Sequence, residues 1–325
     1  MEQPLARREQ AMVRVFYHDV FDFPLPEGHR FPKEKYRMLR ERLLARGVLR
    51  PQDLHLPHAA TVEELTQAHT PDYVARTLAG EWTRQEERRV GLPWSPQLVE
   101  RARRSVGSTL AAARAALEEG LAINLGGGTH HAGPNWGAGF CVFNDVAVAA
   151  RVLLTQGRVG RILVLDLDVH QGDGTAAIAA GDARLFTFSM HGERNFPFRK
   201  VPGDLDIGLP DGTDDRSYLE ALRRGLAEVE RRFQPQLVFY IAGADPYRDD
   251  RLGRLALTKE GLLARDRLVF AWVRQRALPL VLVMGGGYAR NIQDTVDIHV
   301  RTVALAQEMW ERSAQKRSRF GGIRC

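Results

Sequence analysis

Five short apolar runs punctuate the chain, at residues 121–125, 162–167, 185–190, 237–242 and 280–284, each bounded by glycine or polar residues. Continuous runs of this length read as strands buried on both faces. Amphipathic helices separate them. Ser95-Pro96 opens one helix as an N-cap followed by proline in the first turn, and Leu98, Ala102, Val106, Leu110, Ala113 and Leu117 share a face before Gly120 stops it. Another follows Asp214 and Asp215, with Leu219, Leu222, Leu226, Val229 and Phe233 three and four residues apart. Strand-helix alternation requires crossover connections. It therefore predicts an α/β fold, a single domain with a central, mostly parallel sheet flanked by helices on both faces.

Neither a repeat nor a low-complexity linker interrupts residues 11–308, so one domain is expected there, with residues 1–10 and 309–325 as flexible termini. The first ninety residues are less regular. Residues 16–23 read as an edge strand, and 28–32 and 51–57 as loops, the second carrying His55 and His58 as surface histidines. With 325 residues, 44% of them apolar, the chain can bury a large core, which excludes disorder, collagen-like repeats and disulfide miniproteins. No apolar run approaches the roughly 18 residues of a membrane helix. A soluble, cytoplasmic protein is expected, and Cys141 and Cys325 are too few for a disulfide framework. The net charge of +6 comes from 46 basic residues against 40 acidic ones, and the basic ones are nearly all arginine. No aromatic-interleaved basic motif accompanies them, so no specific nucleic-acid partner is expected.

In a parallel sheet, ligands bind beyond the carboxyl ends of the strands. Four of the apolar runs end in polar or glycine-rich residues. The run at 121–125 leads into Gly126-Gly127-Gly128-Thr129-His130-His131, and that at 162–167 into Asp166-Leu167-Asp168-Val169-His170-Gln171-Gly172-Asp173-Gly174. The run at 237–242 leads into Gly243-Ala244-Asp245, and that at 280–284 into Gly285-Gly286-Gly287-Tyr288. Core packing does not explain such convergence.

Asp166, Asp168 and His170 point the same way if the strand persists through them, because alternate side chains share a face. Two carboxylates and an imidazole brought together in a crevice repel and lose solvation unless a cation joins them. A metal is implied, and three protein ligands leave a coordination position open, as catalytic zinc sites do. Asp168 and His170 are the expected pair of ligands, with Asp245 as the third. Asp297 and His299 have the same spacing, yet residues 292–306 read as helix, where such positions face apart. The tandem histidines His130 and His131 each need an orienting acceptor, and Asp166 and Asp173 are free for that role.

At these segments, together with Gly139-Phe140-Cys141-Val142-Phe143-Asn144-Asp145, the chain resembles the histone deacetylase family of the arginase-deacetylase superfamily. His170-Gln171-Gly172-Asp173-Gly174 and the stretch Met190-His191-Gly192-Glu193-Arg194-Asn195-Phe196-Pro197-Phe198 look most like its bacterial and class IV-like branch. The resemblance implies that Asp168, His170 and Asp245 hold Zn²⁺, or Fe²⁺ in cells. It pairs His130 with Asp166 and His131 with Asp173, makes His131 the general base and then acid, and makes Tyr288 the donor to the substrate carbonyl. Phe140 would form one wall of an acyl-lysine tunnel, Phe196 or Phe198 the other, and Gly139 would offer its carbonyl to the substrate amide. K⁺ would sit among Asp166, Asp168, His170, Ser189 and Met190. The family's rim aspartate has no match. The implied activity is zinc-dependent amide hydrolysis on acyl-lysine proteins, peptides or acylated amines. The alternatives are an acetylpolyamine or small-metabolite deacetylase of the same fold, and a non-catalytic binder of acetylated ligands.

Overall fold

The computed structural model describes residues 13–320, with side chains described through residue 311. Eight strands form one sheet: β1 (Arg14–Phe16), β2 (Leu54–His55), β3 (Leu121–Asn124), β4 (Ile162–Asp166), β5 (Leu185–Gly192), β6 (Leu205–Leu209), β7 (Leu237–Ile241) and β8 (Leu280–Val283). Every pairing is parallel, in the order β2-β1-β3-β8-β7-β4-β5-β6. The expected mostly parallel sheet is thus parallel throughout. The four strands with chemically loaded ends, β3, β8, β7 and β4, are consecutive neighbours. Their loops emerge side by side.

Alternation within the strands divides the core. Leu163 and Leu165 of β4 join a cluster containing Leu222, Leu226, Phe270 and Val303, whereas Ile162 and Val164 join one containing Val106, Leu110, Val146 and Leu153. The first cluster is closed by α1 (Glu34–Ala45), α8 (Asp215–Arg232), α9 (Lys259–Gln275) and α10 (Ile292–Phe320). The second is closed chiefly by α5 (Pro96–Glu119) and α6 (Asp145–Thr155). The shorter α2 (Val62–Leu65), α3 (Pro71–Ala79), α4 (Arg84–Val90) and α7 (Asp173–Ala179) complete the set. The expected caps are made: Ser95 Oγ accepts from Leu98 N at 3.1 Å, and Asp214 Oδ1 from Ser217 N at 2.9 Å. Gly120 ends α5 at a φ of 85°, which glycine adopts without steric cost.

Several expectations are corrected. Residues 16–23 do not form an edge strand. Only Arg14–Phe16 is extended, and it lies inside the sheet between β2 and β3. Beyond it the chain turns so that the carbonyls of His18 and Phe21 accept from Arg101 Nη1 at 3.2 and 3.1 Å. The edge is β2, drawn from the stretch read as a loop, and His55 is a half-buried strand residue whose ring lies 5.6 Å from that of Phe16. His58 is exposed and pairs with Glu64 at 2.9 Å. The boundary expected at residue 308 falls inside α10, where Trp310 packs edge-to-face on Phe270. The expectations for residues 1–10, for 321–325 and for Cys325 lie outside the described residues. Cys141 is a buried free thiol.

Candidate active site

Strand β4 ends at Asp166, so strand alternation does not carry Asp168 and His170. Their convergence comes from two successive side-chain-to-backbone turns. Asp168 N donates to Asp166 Oδ1 at 3.1 Å, and His170 N donates to Asp168 Oδ1 at 3.0 Å. From the end of β7, Asp245 reaches the same point, its Oδ1 accepting from Val169 N at 2.9 Å. Ligand atoms of Asp168, His170 and Asp245 lie within 4.8 Å of one another, and all three residues are buried. This is the single such cluster among the described residues.

The cluster asks for positive charge. His170 Nδ1 stands 3.0 Å from Asp168 Oδ1 and 3.3 Å from Asp245 Oδ2. Burial opposes the charged imidazole, but the two carboxylates prevail and raise His170 to about 10. Burial and the neighbouring Asp168 carboxylate push Asp245 up to about 7. Apart from that His170 contact, Asp245 Oδ2 is buried without a hydrogen-bond partner. Gly286 presses its backbone onto this point, where a Cβ would stand 2.0 Å from Asp245 Oδ2, and its N–H donates to Asp168 Oδ2 at 2.7 Å. An orphaned carboxylate oxygen beside a second carboxylate and an imidazole fits a divalent cation.

The glycine-rich loop after β3 brings in the tandem histidines. His130 Nδ1 lies 2.6 Å from Asp166 Oδ2, and His131 Nδ1 lies 2.6 Å from Asp173 Oδ1. Burial works against both imidazolium forms. For His130 the Asp166 and Asp168 carboxylates outweigh it and raise the ring to about 9; for His131 burial and the adjacent His130 lower it to about 4 despite Asp173. The loop is shaped from α6. Asp145 accepts from the backbone N–H of Gly128 at 3.1 Å and of Thr129 at 2.7 Å, while Asn144 caps α6 and donates to Ala132 O at 3.0 Å. Asn144 and Asp145, seen in the sequence only as part of a motif, are its scaffold.

Tyr288 follows β8, half-buried, its ring 5.8 Å from that of Phe140. Burial, Tyr36 and the nearby Asp245 and Asp168 carboxylates hold its hydroxyl well above the ordinary tyrosine range, so it remains a neutral donor. Gly139 and Phe140 both have positive φ, 52° and 67°. At Gly139 a Cβ would stand 2.5 Å from the His131 ring. Phe196 faces the His131 ring edge-on at 4.9 Å, whereas Phe198 is 85% exposed. Both phenylalanines, Phe140, Tyr288 and the histidines line a cavity of about 520 Å³. Gln171 pins the loop that carries Phe196, donating to Val201 O at 2.7 Å and Asp206 Oδ1 at 2.8 Å.

Of the residues expected around a monovalent cation, Asp166 and Ser189 face each other across the β4–β5 ladder, and Met190 follows in β5. Ser189 Oγ lies 2.9 Å from His191 Nδ1. Asp297 and His299 do lie in a helix, Asp297 paired outward with Lys259 at 3.0 Å and His299 buried.

Sequence reading missed several neighbours. Buried Lys35 directs Nζ toward the carbonyls of Gly285 and Gly287, at 3.4 and 3.3 Å. Asp250 Oδ2 accepts from Tyr288 N at 2.6 Å. Buried Arg101 lines the same cavity. No local motif announces these partners, because each acts on residues far away in the sequence. Among the described residues, no helix is long and apolar enough to cross a membrane.

The profile of the histone deacetylase domain matches residues 29–303. An uncharacterised protein of Picosynechococcus sp. is 48% identical over 91% of this chain and 99% of its own length. Histone deacetylase 2 of Arabidopsis thaliana is 30% identical over 88% of this chain and 78% of its own. Among solved structures, a histone deacetylase homologue complexed with SAHA superposes with a TM-score of 0.79 at 25% identity, covering 91% of this chain and 84% of that one.

Proposed function

Because the chain belongs to the histone deacetylase family and has its arginase-deacetylase fold, we propose that this deacetylase hydrolyses acyl amides of lysine side chains or related amines, using a divalent ion held by Asp168, His170 and Asp245. The ion we assign is Zn²⁺, with Fe²⁺ as the cellular alternative. The carrying observation is the arrangement itself: a buried cluster of Asp168, His170 and Asp245, of which Asp168 and His170 line a cavity that also holds His131, Tyr288 and Phe140.

A bound divalent ion supplies Lewis acidity and acidifies water, although two anionic ligands temper that effect relative to three neutral imidazoles. A protein base is therefore still required. His131, kept unprotonated by burial and oriented by Asp173, takes the proton of the attacking water at Nε2 and later returns it to the departing amine. His130 is oriented by Asp166 and packs its ring 4.2 Å from that of His131. The Tyr288 hydroxyl donates to the same oxygen. Phe140 and Phe196 form the tunnel walls, Phe198 standing outside, and the Gly139 carbonyl accepts from the substrate amide N–H. Asp166, Ser189 and the backbone carbonyls near Asp168, His170 and Met190 would hold K⁺, which would stiffen the loop that presents the ligands.

The test is a panel of acetyl-lysine peptide, longer acyl-lysine peptides and acetylpolyamines on metal-loaded protein, with and without a hydroxamate. Turnover of at least one substrate, blocked by the hydroxamate, is expected. Binding without turnover across the panel would leave a non-catalytic reader of acylated ligands and end the enzymatic reading.

A further inference from the structure

Six of the residues lining the cavity at its outer side are exposed arginines: Arg30, Arg88, Arg89, Arg194, Arg251 and Arg254. They come from four separate segments, before α1, on α4, after β5 and after β7. Against them the lining contains one acidic residue, Asp168, which lies at the cavity floor among the metal ligands. Few of these charges are answered locally. Arg254 pairs with Asp211 at 3.2 Å and Arg194 only approaches Glu193 at 3.9 Å. Arg30 lies over the Phe140 ring at 5.8 Å, Arg89 over Trp136 at 4.9 Å, Arg88 donates to the Arg84 carbonyl and Arg251 to the Arg290 carbonyl. No carboxylate lies within salt-bridge distance of these four among the described residues.

Guanidinium groups stay charged at every working pH, and their forked donors match carboxylates. A cleft lined by one sign of charge concentrates its field and draws oppositely charged ligands while repelling like ones. From this ring we propose that the mouth selects acyl-lysine set in an acidic peptide sequence, the acidic side chains on either side of the acylated lysine meeting arginines on different segments. Acetylpolyamines and basic tails, which present extra cations to the same ring, are disfavoured. The proposal rests on the acyl-amide reading of the site and adds its substrate class.

Matched acetyl-lysine peptides with glutamate, glutamine or lysine flanks separate the possibilities. Each is followed by kcat/KM and, independently of turnover, by fluorescence anisotropy on the metal-loaded protein. The glutamate peptide is expected to exceed the lysine peptide by about tenfold or more at low salt. The gap should narrow by 0.5 M salt, where the screening length is only a few ångströms. The double charge reversal Arg30→Glu with Arg88→Glu should shrink or invert that ratio, its fold checked by thermal melting. Equal binding of the three peptides, preference for lysine flanks, or an unchanged ratio in the double variant would overturn the proposal. Turnover that ignores flanking charge would do so while leaving the hydrolase reading intact. Charge-selective binding without turnover of any peptide would support the mouth's selectivity and defeat the hydrolase reading alone.

Discussion

Asp250 holds the backbone of Tyr288. One of its oxygens accepts from the tyrosine N–H, and the other accepts from Leu252 N at 2.8 Å and Gly253 N at 2.9 Å, so a single carboxylate ties the loop after β7 to Tyr288 within the loop after β8. Asp250→Asn keeps the shape but loses the charge, weakening interactions of a type worth about 1.5–3 kcal/mol. It should lower kcat by about tenfold with a smaller change in KM, since the misplaced hydroxyl matters most as charge develops on the carbonyl oxygen. Removing that hydroxyl outright with Tyr288→Phe should cost about 2–4 kcal/mol of transition-state stabilisation. Equal steady-state rates for Tyr288→Phe and the parent protein would remove the tyrosine from the reaction. The cluster of Asp168, His170 and Asp245 and the paired histidines are legible in the sequence because their residue types are improbable at buried strand ends. Asp250 and Lys35 were not, because an aspartate in a loop and a lysine in a helix carry no local mark of a partner 38 or 250 residues away.

At the scale of elements, long features were legible and short ones were not. Helix α5 announced itself through its proline, its apolar face and its terminal glycine. Strands β1 and β2, of three and two residues, contain too few positions for any alternation to register. The condition that β4 persist to His170 is not met for another reason: an aspartate whose side chain folds back onto the backbone two residues on replaces ladder pairing with a turn, while keeping the polar residues converged. His69, between α2 and α3, performs a comparable clamping role. Its Nδ1 lies 2.8 Å from Gly133 O, and its Nε2 accepts from Asn144 N at 2.9 Å, joining the loop after the tandem histidines to the cap of α6. Burial lowers this imidazole from 6.5 to about 4 although the Gly133 carbonyl favours its charged form. The unfolded chain therefore takes up the proton first. Stability present above pH 6.5 is lost as pH falls toward 4. Thermal melting between pH 7.5 and 4.5 should show this decline, and His69→Gln, which does not titrate, should flatten part of it. A variant with the same slope as the parent would show that His69 is not among the groups responsible.

Across the whole molecule, the strand order does what no single motif does. Chain order separates β3 from β8 by four intervening strands, yet the sheet sets them side by side and lines up β3, β8, β7 and β4. Alternation of apolar runs and helices was enough to expect a parallel sheet with its site at the carboxyl ends, but not to order the strands, because each buried run pairs equally well with several others. The arginine excess was legible as composition; its concentration around one cavity mouth required the folded chain. The same long-range assembly would make the proposed metal site a stability element, since two carboxylates and an imidazole are gathered from the segments after two separate strands only in the folded state. Chelation should lower the melting temperature as well as activity, and replacement of one ligand in Asp245→Asn should abolish the difference between chelated and metal-loaded protein. The most direct measurement is elemental analysis of the active, purified protein alongside its acetyl-lysine turnover, before and after chelation. About one equivalent of a divalent transition metal per chain is expected at the Asp168, His170 and Asp245 site, with turnover lost on its removal and regained on its return. Undiminished turnover by metal-free protein would contradict that expectation.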